Sequence, residues 1–199
     1  MASDKKWIMS RVPKGGGRVL DLGGGSGELY SPLRARGFDY VNVDISPSGP
    51  GAVHGDAHNL PFEDGSFDLV VSSDSLEHFH DPLMALREVK RVLKERGQLV
   101  VWVPFMHPFH EDDYYRYTPL GLEHLLTTAG LRQVSLEAPL GAATAVATLL
   151  NTGLRRCGLS RLEPRLERLA ERLDRRLAGL QRSGAYAAFY LVVATKPAE

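Results

Sequence analysis

Cysteine is almost missing from this chain: Cys157 is the only one in 199 residues. That excludes an internal disulfide and any metal site built on paired cysteines, and it fits a reducing compartment. Cys157 itself lies in an arginine-rich stretch with no base beside it in sequence, a poor setting for a nucleophile. Net charge is missing too. Lysine plus arginine and aspartate plus glutamate each total 24, so no global field draws nucleic acid, and no nucleic-acid partner is expected. Long apolar runs are also lacking. The opening MASDKKWIMSRVPKGGG holds none suited to a signal peptide, and nothing later reaches the roughly eighteen apolar residues of a spanning helix. A cytoplasmic protein is the expectation. What remains, 43% hydrophobic content, is enough for one domain burying about 70% of its unfolded surface.

The densest signal runs from Arg18 to Tyr30, RVLDLGGGSGELY. Val19, Leu20 and Leu22 read as a buried strand, Gly23, Gly24, Gly25 and Gly27 as a turn, and Glu28 to Arg36 as a helix. Glycine lets backbone approach a ligand closely, and a helix start offers unpaired N–H groups to an anion. A dinucleotide fingerprint, G-x-G-x-x-G counted from Gly23, meets Glu28 where its third glycine belongs. What fits is D-x-G-x-G-x-G, from Asp21 to Gly27. A carboxylate at the strand end repels a pyrophosphate and attracts an ammonium or sulfonium group, so the site suits a zwitterionic amino-acid ligand.

Asp21 to Gly27 resembles the first motif of class I S-adenosylmethionine-dependent methyltransferases. Later segments, as far as about Glu137, match that family's motifs in order, in the manner of its ubiquinone/menaquinone-methyltransferase-like, small-molecule branch. The resemblance implies an α/β, Rossmann-like fold: a mostly parallel seven-stranded sheet with helices on both faces and the last strand antiparallel. It also implies S-adenosylmethionine as cofactor, with Asp21, Gly23, Gly24, Gly25 and Gly27 around it. Tyr40 to Ile45 reads as the second strand, and Asp44 at its end is placed to accept from a ribose diol, with Ile45 alongside. SPSGPG, Ser46 to Gly51, is too short for a crossover helix, so the helical layer should be thin there. GDAHNLPF, Gly55 to Phe62, resembles the motif in which an acid, here Asp56, accepts from the adenine amino group while the Ala57 backbone meets the ring.

Phe67 to Ser73 is a continuous apolar strand, expected to be buried in a parallel sheet with Ser73 at its ligand-facing end. SLEHFHDP resembles the family's LEH-x-x-DP, in which the histidine, here His78, orients loops near the site. Asp81-Pro82 starts a helix to about Lys94, Gly97 ends it, and Gln98 to Val103 is the fifth strand. FMHPFHEDDYYRYT follows that strand's end and should stand over the same crevice. Methyl transfer to a hydroxyl needs a group to remove its proton, and histidine is the natural candidate. His110 is the first choice, His107 the second and His78 the third. Tyr114 and Tyr115, with Tyr117, would wall an acceptor pocket, and Arg116 would either hold an acceptor anion or pair with Asp113. The order of His107, His110, Glu111, Asp112 and Asp113 matches no zinc-protease helix, and no metal is expected.

Residues 1–17, polar and ending in three glycines, read as a flexible lead-in, with Trp7, Ile8 and Met9 able to pack on the body or fold over the ligand. Residues 18–199 read as a single methyltransferase domain with a helical insertion at about 141–182. Within it, leucines at 159, 162, 166, 169, 173, 177 and 180 fall on one face of a long helix, and nine arginines stand against four acids from Arg155 to Arg182. Such a stripe wants a partner: the protein's own body, a second copy forming a homodimer through 159–180, or peripheral contact with a membrane surface. The function expected is methyl transfer from S-adenosylmethionine to a small-molecule or lipid-like acceptor at oxygen. The alternative is a non-catalytic cofactor-binding protein acting through the Arg/Leu-rich helix.

Overall fold

The computed structural model describes residues 2–108, 112–177 and 187–198. In chain order the elements are α1 (Ala2–Arg11), β1 (Gly17–Leu22), α2 (Tyr30–Arg34), β2 (Phe38–Asp44), β3 (Ala52–His54) and β4 (Phe67–Ser73). Then come α3 (Pro82–Val92), β5 (Leu93–Pro104), α4 (Pro119–Thr128), β6 (Arg132–Leu140), α5 (Ala142–Arg156), α6 (Glu163–Leu177) and β7 (Phe189–Thr195). One seven-stranded sheet has the order β3-β2-β1-β4-β5-β7-β6. Pairing is parallel from β3 to β5, while β7 runs antiparallel to both β5 and β6. The expected α/β architecture, with its antiparallel last strand, is the one observed.

Strand alternation sorts the core onto the two sheet faces. Val70, Leu99, Val101 and Val192 pack under α3 and α4 with Leu86, Val89, Leu122 and Leu126. Val71, Val100, Trp102 and Leu191 face the other side, with Ile8, Leu33 and Ala145. Local chemistry sets the helix starts. Asp81 accepts from the Met84 N–H at 3.0 Å ahead of Pro82, and Thr118 accepts from the Gly121 N–H at 3.1 Å ahead of Pro119.

Four local expectations change. Residues 2–11 are helical, not a mobile lead-in: Ile8 is fully buried against the sheet, and Arg11 pairs with Glu137 of β6. The helix read from Glu28 to Arg36 shortens to the five residues of α2, because turns bonded Gly27 N to Gly24 O and Tyr30 N to Gly27 O occupy its start. Helix α3 stops at Val92, before Gly97, since Leu93 is already extended and pairs with Phe67. The helix read through the leucines at 159–180 is shorter, α6 from Glu163 to Leu177 with Leu180 outside the described residues, and it forms a hairpin with α5 through a short turn that includes Ser160–Leu162. The thin layer foreseen between β2 and β3 is present: residues 46–51 contain no helix.

Candidate active site

Strand order reverses between β1 and β4, and open α/β sheets leave their crevice at the carboxyl ends there. Two adjoining cavities occupy it. The smaller, about 390 Å³, is lined by Asp21, Gly23 to Ser26, Ser73, Asp74, Glu28 and Lys5. The larger, about 580 Å³, is bordered by Asp44, Ile45, Asp56, Ala57, His58, Asp74 and His78, among others. Gly23, Gly25 and Asp74 belong to both. Of the residues read as cofactor-binding, Gly27 alone borders neither; it sits under Pro50 at φ +73.

The glycine turn is shaped by what surrounds it. Gly23 has φ +71, a left-handed conformation, and a Cβ there would lie 2.5 Å from Ser75 Oγ. Gly24 lacks the positive φ but has even less room: a Cβ would meet Asn42 Oδ1 at 2.5 Å and Asp21 Cγ at 2.7 Å. Asp44 ties the turn to β2, accepting from Gly25 N at 3.0 Å and from Ser46 N at 2.8 Å. Asn42 donates to Gly25 O at 2.9 Å. Because strand-end side chains hold it from beneath, the turn is a preformed cradle.

Charge in the cradle is mostly negative. Asp21 is 2% exposed and accepts from Tyr40 OH at 2.6 Å. Burial pushes its carboxyl up to about 7; the Tyr40 hydrogen bond opposes this and nearby Asp44 adds to it. A cationic ligand atom would recover the ionised form. The cation on the rim is Lys5 from α1, 2.9 Å from Glu28. On the other side, hydrogen bonds from the His58 backbone and ring hold Asp56 below the ordinary carboxylate range, against a partial desolvation.

Sequence reasoning did not assign Lys5, Asp74, His58 or His80. Asp74 directly follows β4 at φ +49 with its N–H bonded to Trp102 O, and it lines both cavities. Its signal was the SSDS string. His58 lies inside GDAHNLPF, and its ring sits tilted against that of His80 with centroids 4.0 Å apart. Lys5 had no sequence signal, since only folding brings α1 to the turn. Phe62 packs edge-on to Phe67 and belongs to the core.

The acceptor-side residues separate. His110, with Phe109 and Glu111, lies outside the described residues. His107 turns its ring to Phe189 at 5.0 Å and its Nδ1 to Pro108 O, and it borders neither cavity. His78 borders the larger one, with Nδ1 3.4 Å from Asp113 Oδ1 and Nε2 3.9 Å from Glu77 Oε1. Arg116 is held by Asp113 at 2.5 Å, so the ion pair allowed by their spacing is formed. Tyr115 donates to His80 O and stacks on Tyr117, which donates to Leu76 O; Tyr114 stands largely exposed. The Tyr114 and Tyr115 N–H groups both donate to Glu77 O. The DYYRYT loop is thereby stitched to the SLEHFH segment.

Glu77 is the most unusual group in this cluster. It is fully buried, and among the described residues no other group donates a hydrogen bond to its carboxyl oxygens. Burial pushes it up to about 8, helped by Asp74 and Asp113 and opposed by its own backbone N–H and by Arg116. Together with His78 and Asp113 it places three ligand-type atoms within 4.8 Å of one another, where Arg116 already supplies positive charge. Between about pH 4.5 and about pH 8 the unfolded chain ionises this acid while the folded one does not, so its contribution to stability falls as pH rises. Glu77→Gln is therefore expected to unfold at higher temperature than the parent at pH 8, by about 1–3 kcal/mol, with the gap closing near pH 4.5. Thermal unfolding across that range measures it, and a pH-independent difference would contradict it.

Sheet order, cleft position and an acid-lined glycine cradle together define a class I methyltransferase fold. Residues 5–136 match the family described as a methyltransferase domain, and the chain belongs to that family. It is 34% identical over 139 residues to a protein named as an uncharacterized methyltransferase of Mycobacterium sp. (strain JLS), covering 63% of this chain and 52% of that one. It is 39% identical over 124 residues to a demethylmenaquinone methyltransferase of Renibacterium salmoninarum, covering 54% of this chain and 51% of that one. The chain thus spans about half the length of these relatives. Among solved structures, an S-adenosylmethionine dependent methyltransferase from Mesorhizobium loti superposes with a TM-score of 0.65 at 20% identity, covering 94% of this chain and 95% of that one, a likeness of fold.

Proposed function

We propose that the protein transfers a methyl group from S-adenosylmethionine to a small-molecule or lipid-like acceptor at an oxygen atom, with His78 removing the acceptor's proton. The observation that carries this reading is the acid-lined glycine cradle, continuous through Gly23, Gly25 and Asp74 with a larger cavity that His78 borders. Asp21 and Asp74 would take the cofactor's ammonium, Lys5 its carboxylate, Asp44 its ribose, and Asp56 with Ala57 its adenine. When bound, that group supplies an electrophilic methyl carbon on a sulfonium. The chain's own task is to hold an acceptor in line and accept a proton, which a positioned histidine accelerates by ~10² to 10⁴. Asp112 O and Asp113 Oδ1, each 3.4 Å from His78 Nδ1, would together orient the ring, the carboxylate adding the charge with which an acid orients a base in other enzymes. The demethylmenaquinone methyltransferase among the relatives supports an apolar acceptor.

Calorimetry tests the cofactor assignment. S-adenosylmethionine and its demethylated product are expected to bind at micromolar concentration and NADH not at all; binding of NADH alone would overturn the reading. Asp44→Ala should weaken both by about 1–3 kcal/mol, since it removes the ribose acceptor and the tie to Gly25 N together. An unchanged affinity would take Asp44 out of the site.

A further inference from the structure

The α5–α6 hairpin is built inside out. Its seam is polar: Asp174, 5% exposed, accepts from the N–H groups of Gly141, Ala143 and Thr144 and from Thr144 Oγ1. Asn151 donates to Glu167, and Arg155 to Glu163. Ala147 and Ala170 are buried, but most of the larger apolar residues point elsewhere. Val146, Leu149 and Leu150 of α5 and Leu169, Leu173 and Leu177 of α6 are 39–56% exposed, so among the described residues nothing covers the stripe fully. Arginines flank it. Arg168, Arg172 and Arg176 each directly precede one of those α6 leucines, which sets two parallel rows about 100° apart on the helix.

From Ala142 to Leu177 eight arginines stand against four acids, and two of the acids, Glu163 and Asp174, are turned into the seam. Six of the eight arginines have no carboxylate partner among the described residues; Arg155 and Arg175 do. The rest of the chain, formally neutral overall, is correspondingly acidic. A second copy fits this face poorly, because a two-fold contact sets the same patch against itself and brings arginine rows together. Anionic lipid headgroups complement it, with leucines entering the acyl boundary between them. The hairpin also leaves the sheet at the right edge: Leu140 of β6 pairs with Phe189, which pairs with Pro104 at the carboxyl end of β5, the edge that carries the cleft.

We propose that the exposed Leu/Arg face of the α5–α6 hairpin is a docking surface for an anionic lipid bilayer. The test is co-sedimentation of the full chain with phosphatidylcholine vesicles with and without about 30% phosphatidylglycerol. Binding is expected to the anionic vesicles only, and to fall at least about tenfold when salt is raised from about 0.1 M to about 0.5 M. Leu169→Glu/Leu173→Glu and Arg168→Glu/Arg172→Glu should each weaken it by a similar factor. Both pairs are exposed, and unchanged thermal unfolding with retained S-adenosylmethionine binding would show that they fold. Failure to bind anionic vesicles, equal binding to neutral ones, or indifference to both variants would overturn the proposal. So would light scattering that shows a dimer split by Leu169→Glu/Leu173→Glu, which would give the face to a second copy.

Discussion

Gly24→Ala is expected to lose at least about a hundredfold in affinity for S-adenosylmethionine and its demethylated product, equivalent to about 3 kcal/mol. Gly24 does not sit in a left-handed conformation, so the added methyl costs space alone. Its Cβ would come within 2.5 Å of Asn42 Oδ1 and 2.8 Å of Asp21 Oδ2. Neither neighbour can yield easily. Asn42 is fully buried and holds Gly25 O through its amide, while Asp21 is held by Tyr40. Relief therefore moves either the turn or the carboxylate, and both belong to the cradle. The fold should survive with a loss of about 1–3 kcal/mol, the usual cost of overpacking. Calorimetry beside circular dichroism separates these effects; near-normal cofactor affinity in a folded variant would place the cofactor elsewhere.

His78→Ala carries the second large effect. Turnover is expected to fall by about 10²- to 10⁴-fold with a far smaller change in cofactor affinity, because His78 borders the larger cavity without being one of the groups assigned to the cofactor's ammonium, carboxylate, ribose or adenine. Asp113→Asn should lower kcat less, since the imidazole stays while its orienting charge goes. It also releases Arg116, so a rise in KM from a loosened loop should accompany it. Full turnover in His78→Ala would move the base to another residue, with His110 the next to test.

The core strands and the cofactor side were readable because each depends on neighbours in sequence. Phe67–Ser73 is an unbroken apolar run bounded by turn residues, and it is the observed β4 to the residue. Asp44 and Ser73 stand at carboxyl strand ends, where alternation and strand length alone place them. The rest depends on contacts distant in the chain. Lys5 meets Glu28 only because Ile8 anchors α1 on the sheet. His78 borders the larger cavity and His107 does not, and the DYYRYT loop, some 35 residues on, folds back onto Glu77 O, a pairing with no period or motif to announce it. The leucine repeat in α6 is legible as a stripe that wants a partner, but its spacing does not choose among the protein's own body, a second copy and a membrane surface. Amphipathic spacing normally marks the packed face, but here hydrogen bonds from the start of α5 to Asp174 and from Arg155 at its end to Glu163 turn those acids inward and leave the leucines outside.

That polar seam has a mechanical consequence. Apolar helix faces can slide by small steps with little change in contact, whereas one carboxylate gripping four donors has a single register. Shifting α6 by one turn would leave the Gly141, Ala143 and Thr144 donors unmet. The hairpin thus behaves as a stiff bracket with a set angle to β6, and whatever plane its outer rows settle on fixes the direction in which the cleft opens.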